Sequence, residues 1–533
     1  MLRHLSLGFW LCSVVLCCAP TACAQSGDNP RPSQEALRFR FLGPQVGNRI
    51  SAVAGVPGDP STYYAGAASG GIWKSIDGGN RFQAVFDDQP AAAIGALAVA
   101  PSDPSTVWAG TGEAWAIRDS DVAGNGVYRS TDAGKTWKHM GLDETGRIAR
   151  IVVDPQNAEN VFVCALGRLT GPQQERGVFR TTDGGQHWGR VLFADPNTGC
   201  SGLVMDPHNP HILFAGMWQV EMHTYGEFSG GPGSGVFASR DGGTTWSRIT
   251  SHGLPRSPVG KIDVAIAPSN SSRVFALIQT ASQGSVWRSD DGGENWRAMS
   301  HSRQLTGRAG YYIRLAVSPA NENEVLVANS SFHQSLDGGE TFRTVPWGGD
   351  THDIWFDPAN ADRFVITDDA GMSITTVHGR GLHRVTLPIG QMYHVAVDNQ
   401  IPYWIYTNMQ DNSTMRGPSI GRNAGRNYGG NEENPDTADT ASGAAPAGAE
   451  GPGAAGTRTR GTREGAPPNE DQQKALTEGS STETTGENRP PSAGGEGGGL
   501  RGPRPTAHWC VRARLGAWSM GCSDSVIGDI ARW

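Results

Sequence analysis

The chain has 533 residues, 73 of them Gly, 33 Pro and 16 Trp, with a formal net charge of −8 and a pI near 6.0. That composition suits a turn-rich all-β protein with aromatic packing and ample length for a large core. The acidic balance, without a basic stripe, argues against nucleic acid as the main partner, and no segment past the first 24 residues is apolar for long enough to span a membrane as a helix.

Residues 1–24 read as an export signal. Arg3 and His4 precede an apolar run over 5–19, and Ala22-Cys23-Ala24 offers a small-residue cleavage site before Gln25. The mature chain is then expected to be secreted or periplasmic. A lipid-modified Cys23 is the lesser alternative, because Pro20 stands where such a signal has a Leu-like residue. Residues 25–37 read as a linker.

From there one phrase recurs six times: SIDGGNRF (75–82), STDAGKTW (130–137), TTDGGQHW (181–188), SRDGGTTW (239–246), SDDGGENW (289–296) and SLDGGETF (335–342). Counted from Asp77 through Asp132, Asp183, Asp241 and Asp291 to Asp337, the copies lie 46 to 58 residues apart. A period near 50 with strand-like flanks predicts a radially repeated sheet protein. Each phrase follows a short alternating run such as Gly126-Val127-Tyr128-Arg129, which reads as a half-buried strand. Its glycines accept positive φ in a hairpin turn, its Asp caps turn N–H groups, and its closing Trp or Phe is expected to start the next strand. The six Asp residues are therefore structural, spread around a rim where they cannot converge on a substrate.

A second phrase interleaves with the first, as in SAVAGVPGDPSTYYAG (51–66), LAVAPSDPSTVWAG (97–110) and IWFDPANADRFVIT (354–367). Strand, Pro/Asn/Asp turn, strand is a hairpin, read as the inner half of a four-stranded unit. Eight starts, the last near 395, predict a β-propeller of seven four-stranded blades within 38–423, with six or eight blades as alternatives. The seventh unit lacks the phrase and carries Met372-Ser373-Ile374-Thr375-Thr376 instead. Cys164 and Cys200 read either as a disulfide joining adjacent blades or as two buried thiols. No His/Cys spacing suits a metal, and neither metal nor cofactor is expected.

Residues 424–506 have almost no strand-forming apolar side chains and are predicted to be disordered. Residues 507–533 turn apolar again, too briefly to fold alone.

The six-fold phrase resembles the Asp-box, or bacterial neuraminidase repeat. From Phe39 to Ser419 the chain also resembles large secreted bacterial propeller proteins labelled glycosyl hydrolase-like or sortilin N-terminal-like. The resemblance rests on FRFLGPQVGNRISAVAGVPGDPSTYYAGAASGGIWKS, VWAGTGEAW, THDIWFDPANADRFVITDDAG and YTNMQDNSTMRGPS. It implies a second propeller after the last phrase, whereas this chain enters low-complexity sequence, as a truncated or frame-disturbed product would. Similarity to two-propeller xyloglucanases at Tyr64-Ala65-Gly66-Ala67-Ala68-Ser69-Gly70-Gly71-Ile72-Trp73 implies a catalytic aspartate where Ala68 stands, and a second carboxylate from the absent propeller. No sialidase arginine phrase is present, so catalytic residues are not assigned.

Polar residues at the ends of inner strands remain as ligand-binding candidates: Glu113, Trp115, His352, Asp353, Asp369, Gln410 and Asp411. In a closed ring they converge on one channel mouth, although each could equally satisfy a blade turn. The long loop 222–232 is placed over one face, and Trp218 is a further stacking candidate. These features point first to an exported, non-catalytic propeller binding a glycan or a peptide within a larger assembly. A glycoside hydrolase acting on polysaccharide and an assembly scaffold are the alternatives.

Overall fold

The computed structural model describes residues 49–114, 123–390, 392–409 and 414–419. The expectations for the signal, the linker, the low-complexity segment and the C-terminal remnant fall outside these residues. Seven antiparallel sheets follow one another along the chain, over 50–84, 94–139, 148–192, 198–248, 262–300, 314–349 and 353–385. These are blades 1 to 7, and each lays four strands side by side in sequence order, as short connections favour, with blade 4 carrying a fifth strand, Gly226–Ser229, paired to its second. Their innermost strands are Ile50–Val56, Ile94–Ala100, Ile148–Asp154, Thr198–Met205, Ile262–Ala267, Arg314–Val317 and Asp353–Asp357.

The core is a set of layers between neighbouring blades. Val56, Tyr64 and Ile72 of blade 1 pack on Ile94, Val107 and Tyr128 of blade 2, and equivalent clusters fill each successive gap. The seventh cluster joins Val365, Met372 and Ile374 of blade 7 to Ile50, Val53 and Tyr63 of blade 1, so the ring closes with seven blades. Arg363 locks that closure. Its buried guanidinium bonds Asp357 of blade 7 at 2.6 Å and donates to the Val56 carbonyl of blade 1 at 3.0 Å. The eighth start opens a separate three-stranded sheet, Met392–Val397, Trp404–Met409 and Thr414–Pro418, which adds no blade to this ring.

Each Asp-box forms the turn between the third and fourth strands of its blade. In blade 2 the Ser130 hydroxyl donates to Asp132 Oδ1 (2.7 Å) and accepts from the Gly134 N–H (2.8 Å), while Asp132 Oδ1 accepts from the Thr136 N–H (2.9 Å). Gly78 in the first copy and Gly184 in the third also bond the carbonyls of Ser61 and Glu159, beside the inner hairpin turns. The boxes therefore sit at the end of the blades opposite the channel mouth described below. The closing aromatic is part of the turn and not of the fourth strand, which starts one residue later at Lys138–His139. The ring then reaches back to the preceding blade: Trp137 meets Phe86 edge-on at 5.3 Å, and Trp188 meets Trp108 at 6.1 Å. In blade 7 the same turn runs from Thr375 to Gly379, whose N–H bonds the Thr375 hydroxyl at 2.9 Å, and Val377 stands in the Asp position.

Turn hydrogen bonds hold the box carboxylates down. Thr136 does so for Asp132, Thr245 for Asp241 and Asn295 for Asp291, each at about 2 against an ordinary 3.8. Groups depressed on folding stabilise the fold fully above their unfolded pKa and cease to do so as pH falls through the folded one. A plateau in melting temperature above about pH 4, with a decline between pH 4 and pH 2, is the expected outcome of a thermal-denaturation series. A flat profile across that window would refute it.

Candidate functional site at the channel mouth

Inner strands start, and second strands end, at one end of the ring: Asp353 pairs with Thr367, and Ile50 with Ala67. Residues just before the first kind of strand and just after the second therefore gather around a single mouth. Arg49 Nε and Glu113 Oε1 form a buried ion pair at 3.0 Å, and Arg147 Nη1 donates to the Glu113 carbonyl at 3.0 Å. Arg49 lies over the Tyr311 ring, 5.6 Å from its centroid. Tyr311 and Tyr312 flank the His352 imidazole at 6.1 and 4.9 Å, and His352 Nε2 contacts Asp369 Oδ1 at 3.1 Å. Tyr312 donates its hydroxyl to Asp350, which Arg308 also contacts at 3.2 Å.

Burial pushes the Asp369 carboxyl upward, but the His352 contact, with the charges of Arg49 and Arg308, outweighs it and leaves the pKa below 3.8. Asp369 is thus ionised at neutral pH. Glu227 behaves oppositely. Burial raises its pKa to about 7, against the opposing charge of Lys261. Its Oε1 is dry and has no hydrogen-bond partner among the described residues, and a Cβ on Gly310 would stand 2.7 Å from its Oε2. Lys261 lies beneath, its Nζ donating to the Tyr311 carbonyl at 2.9 Å and sitting 4.8 Å from the Trp218 ring centroid. Burial first, then Arg314, lowers the pKa of Lys261 to about 7.

Below the rim a charge network crosses the axis. Asp353 Oδ1 takes a 2.7 Å bond from Arg150 of blade 3 and lies 3.7 Å from Arg314 Nε of blade 6, while Oδ2 accepts from the Val53 N–H of blade 1 at 3.1 Å. Asp263 of blade 5 accepts from the Leu315 N–H at 2.9 Å.

Of the sequence candidates, Glu113, His352 and Asp369 meet at the rim. Asp353, one residue on from His352, takes part in the network below and is held by three other blades. Asp368 turns the other way, to Arg384 at 2.6 Å. Trp115, Gln410 and Asp411 lie outside the described residues. Trp218 is fully buried and packs beneath the rim. The structure adds Arg49, Lys261, Tyr311 and Glu227, of which Glu227 lies in the marked loop 222–232 and Arg49 in the first stretch quoted for the resemblance, where it was given no role. Ala68, at the position of the implied aspartate, bonds its N–H to the Arg49 carbonyl at 3.0 Å, so that position does border the mouth. Among the described residues no three His, Cys, Asp or Glu side chains cluster as a metal site, and no helix is long and apolar enough to cross a membrane.

Fold and repeats together define the chain as a BNR/Asp-box repeat β-propeller, glycoside hydrolase-like in its relatives. The family model described as BNR/Asp-box repeat matches residues 128–139. A probable oligoxyloglucan-reducing end-specific xyloglucanase of Neosartorya fischeri is 26% identical over 372 residues, covering 60% of this chain and 44% of that protein. A xyloglucanase of Paenibacillus sp is 26% identical over 262 residues, 43% of this chain and 22% of the relative. The chain spans less than half the length of these curated relatives. Among solved structures, the GH74 xyloglucanase from Xanthomonas campestris aligns with a TM-score of 0.51 at 17% identity, covering 69% of this chain and 59% of that one.

Proposed function

We propose that the propeller takes a polysaccharide across the channel mouth and acts on it as a glycoside hydrolase, with Asp369 and Glu227 as the working carboxyl groups. The observation that carries this reading is a line of contacts from Asp369 through His352 to Tyr311 and the adjoining Gly310, against which the Glu227 carboxyl packs, with burial raising one carboxyl and the His352 contact lowering the other. Environments that drive two carboxyl groups apart in pKa divide the roles of acid and base. Glu227, protonated below about 7, can give its proton to the departing glycosidic oxygen. Asp369, kept ionised beside His352, can activate water or bear against the positive charge that grows on the sugar. Ala68 leaves the xyloglucanase-type aspartate position without a carboxylate, so hydrolysis here has to draw on other acids. Xyloglucanase relatives support a glycan as the substrate class, and export through residues 1–24 suits a polymeric substrate.

The test is sugar release from xyloglucan, other plant glucans, bacterial glycans and sialylated glycans by the protein from residue 25 onward. Release should fall by about 100-fold or more in Asp369→Asn and in Glu227→Gln. It should also decline as pH rises above about 7, where Glu227 loses its proton. Silence across the panel from demonstrably folded protein would refute the enzymatic reading and leave a glycan-binding propeller.

A further inference from the structure

Blade 4 carries an addition that the other blades lack among the described residues. Its second strand, Leu213–His223, runs past the rim and folds back as Gly226–Ser229, pairing Val220 with Ser229 and Met222 with Glu227. The hairpin is braced at its base. Trp218 Nε1 donates to the Ser229 hydroxyl at 3.0 Å, that hydroxyl donates to Gln279 Oε1 at 2.7 Å, and Gly231 bridges to Val259. Met222 is buried with Leu166, Leu169, Trp218 and Val220.

The tip, by contrast, holds its aromatic rings out in water. His223 and Tyr225 stack with centroids 5.1 Å apart and planes 9° from parallel, and Phe228 stands edge-on to them at 5.5 and 6.2 Å. Tyr225 is 78% exposed and Phe228 55%. Leaving clustered aromatic rings in water is costly, and a contiguous exposed patch of this kind marks an interaction site.

We propose that this tip is a sugar-binding platform on which pyranose rings of the polysaccharide stack as the chain leaves the mouth. A pyranose offers an apolar C–H face and a ring of hydroxyls. The tip offers the complement: ring faces bordered by the Tyr225 hydroxyl and by His223 and Glu221, whose Nε2 and Oε2 lie 3.5 Å apart. Three rings match the span of one or two sugar units and fall far short of the roughly 1,200 Å² that a stable protein interface needs. The platform is also continuous with the mouth, because Glu227 sits on the same two-stranded arm, across from Met222. The inference rests on the polysaccharide reading above, and it adds where the polymer runs.

Affinity electrophoresis of the whole chain in gels containing soluble xyloglucan separates the two. The platform predicts clear retardation of the parent protein, at least tenfold weaker apparent binding in the double variant Tyr225→Ala/Phe228→Ala, and near-parent binding in Tyr225→Trp, which keeps a ring. Retention of binding in Glu227→Gln alongside its loss in the tip variant would assign the affinity to the rings and not to the carboxyl group. If parent and tip variant are retarded equally, the platform is wrong while the mouth reading stands. If the folded parent shows no retardation by xyloglucan or by any glycan of the release panel, both are wrong. Loss in Tyr225→Trp equal to that in the double variant would mean a disturbed hairpin and also overturn the platform.

Discussion

Replacing Asp353 with alanine should cost the ring about 3–5 kcal/mol of stability, the usual penalty for removing one partner from a buried ion pair. The carboxylate serves three blades besides its own. It takes a hydrogen bond from Arg150, lies close to Arg314 and caps the Val53 N–H, and its side chain is only 5% exposed. Arg314 is more buried still, at 1%, and burial together with the neighbouring Arg150 already lowers its pKa to about 10. Without Asp353 the two guanidinium groups would face each other with less compensation, a repulsion that burial of Arg314 strengthens. Urea unfolding of parent and variant measures the loss directly. A difference below about 1 kcal/mol would mean that water replaces the carboxylate and that the network adds little net stability.

The second large effect concerns the disulfide. Cys164, on the second strand of blade 3, is bonded to Cys200, on the innermost strand of blade 4, across 36 residues of chain. Of the two readings open in the sequence, the structure selects the cross-link between blades. Closing a loop of that length restricts the unfolded chain by about 4 kcal/mol in the chain-entropy account. The variant Cys164→Ala/Cys200→Ala should lose that much in urea unfolding, plus a smaller packing term, because both residues lie in the apolar layer with Phe162, Leu203 and Met217. Alkylation of the native protein followed by mass spectrometry should find neither thiol modified. A double variant within about 1 kcal/mol of the parent would show that the cross-link contributes almost nothing.

The fold was largely legible in the sequence because its signals are local. An Asp-box completes its hydrogen bonds within a few residues, Ser130 to Gly134 and Asp132 to Thr136, so the phrase that forms the turn is also the phrase that is read. The inner hairpins are equally self-contained. The boundary of the fourth strand was misplaced by one residue because the Asp-box aromatic is drawn back onto the preceding blade, and that contact lies some 50 residues away, as Trp137 to Phe86 shows. The site was half legible. Glu113, His352 and Asp369 stand at the ends of apolar strands, and that change from apolar to polar is visible in one dimension. Arg49, although inside a quoted stretch, and Tyr311 precede strands, and nothing near either in the chain announces what it meets.

The repeat period and the hairpin chemistry, both short-range, thus determined an all-β propeller from the sequence alone, while the count of seven blades over six or eight was settled by the layer that joins blade 7 to blade 1. What each polar residue does was decided only by closing the ring. His352 and Asp353 are neighbours in sequence, yet one faces Asp369 at the mouth while the other binds Arg150, 203 positions away. Glu227 lies in a loop marked only for its length, and burial against Gly310, from the connection entering blade 6, raises its pKa to about 7 despite the charge of Lys261, from the connection entering blade 5. Protonation depends on solvent and charge within a few ångströms, and in a circular fold those neighbours come from the far side of the chain.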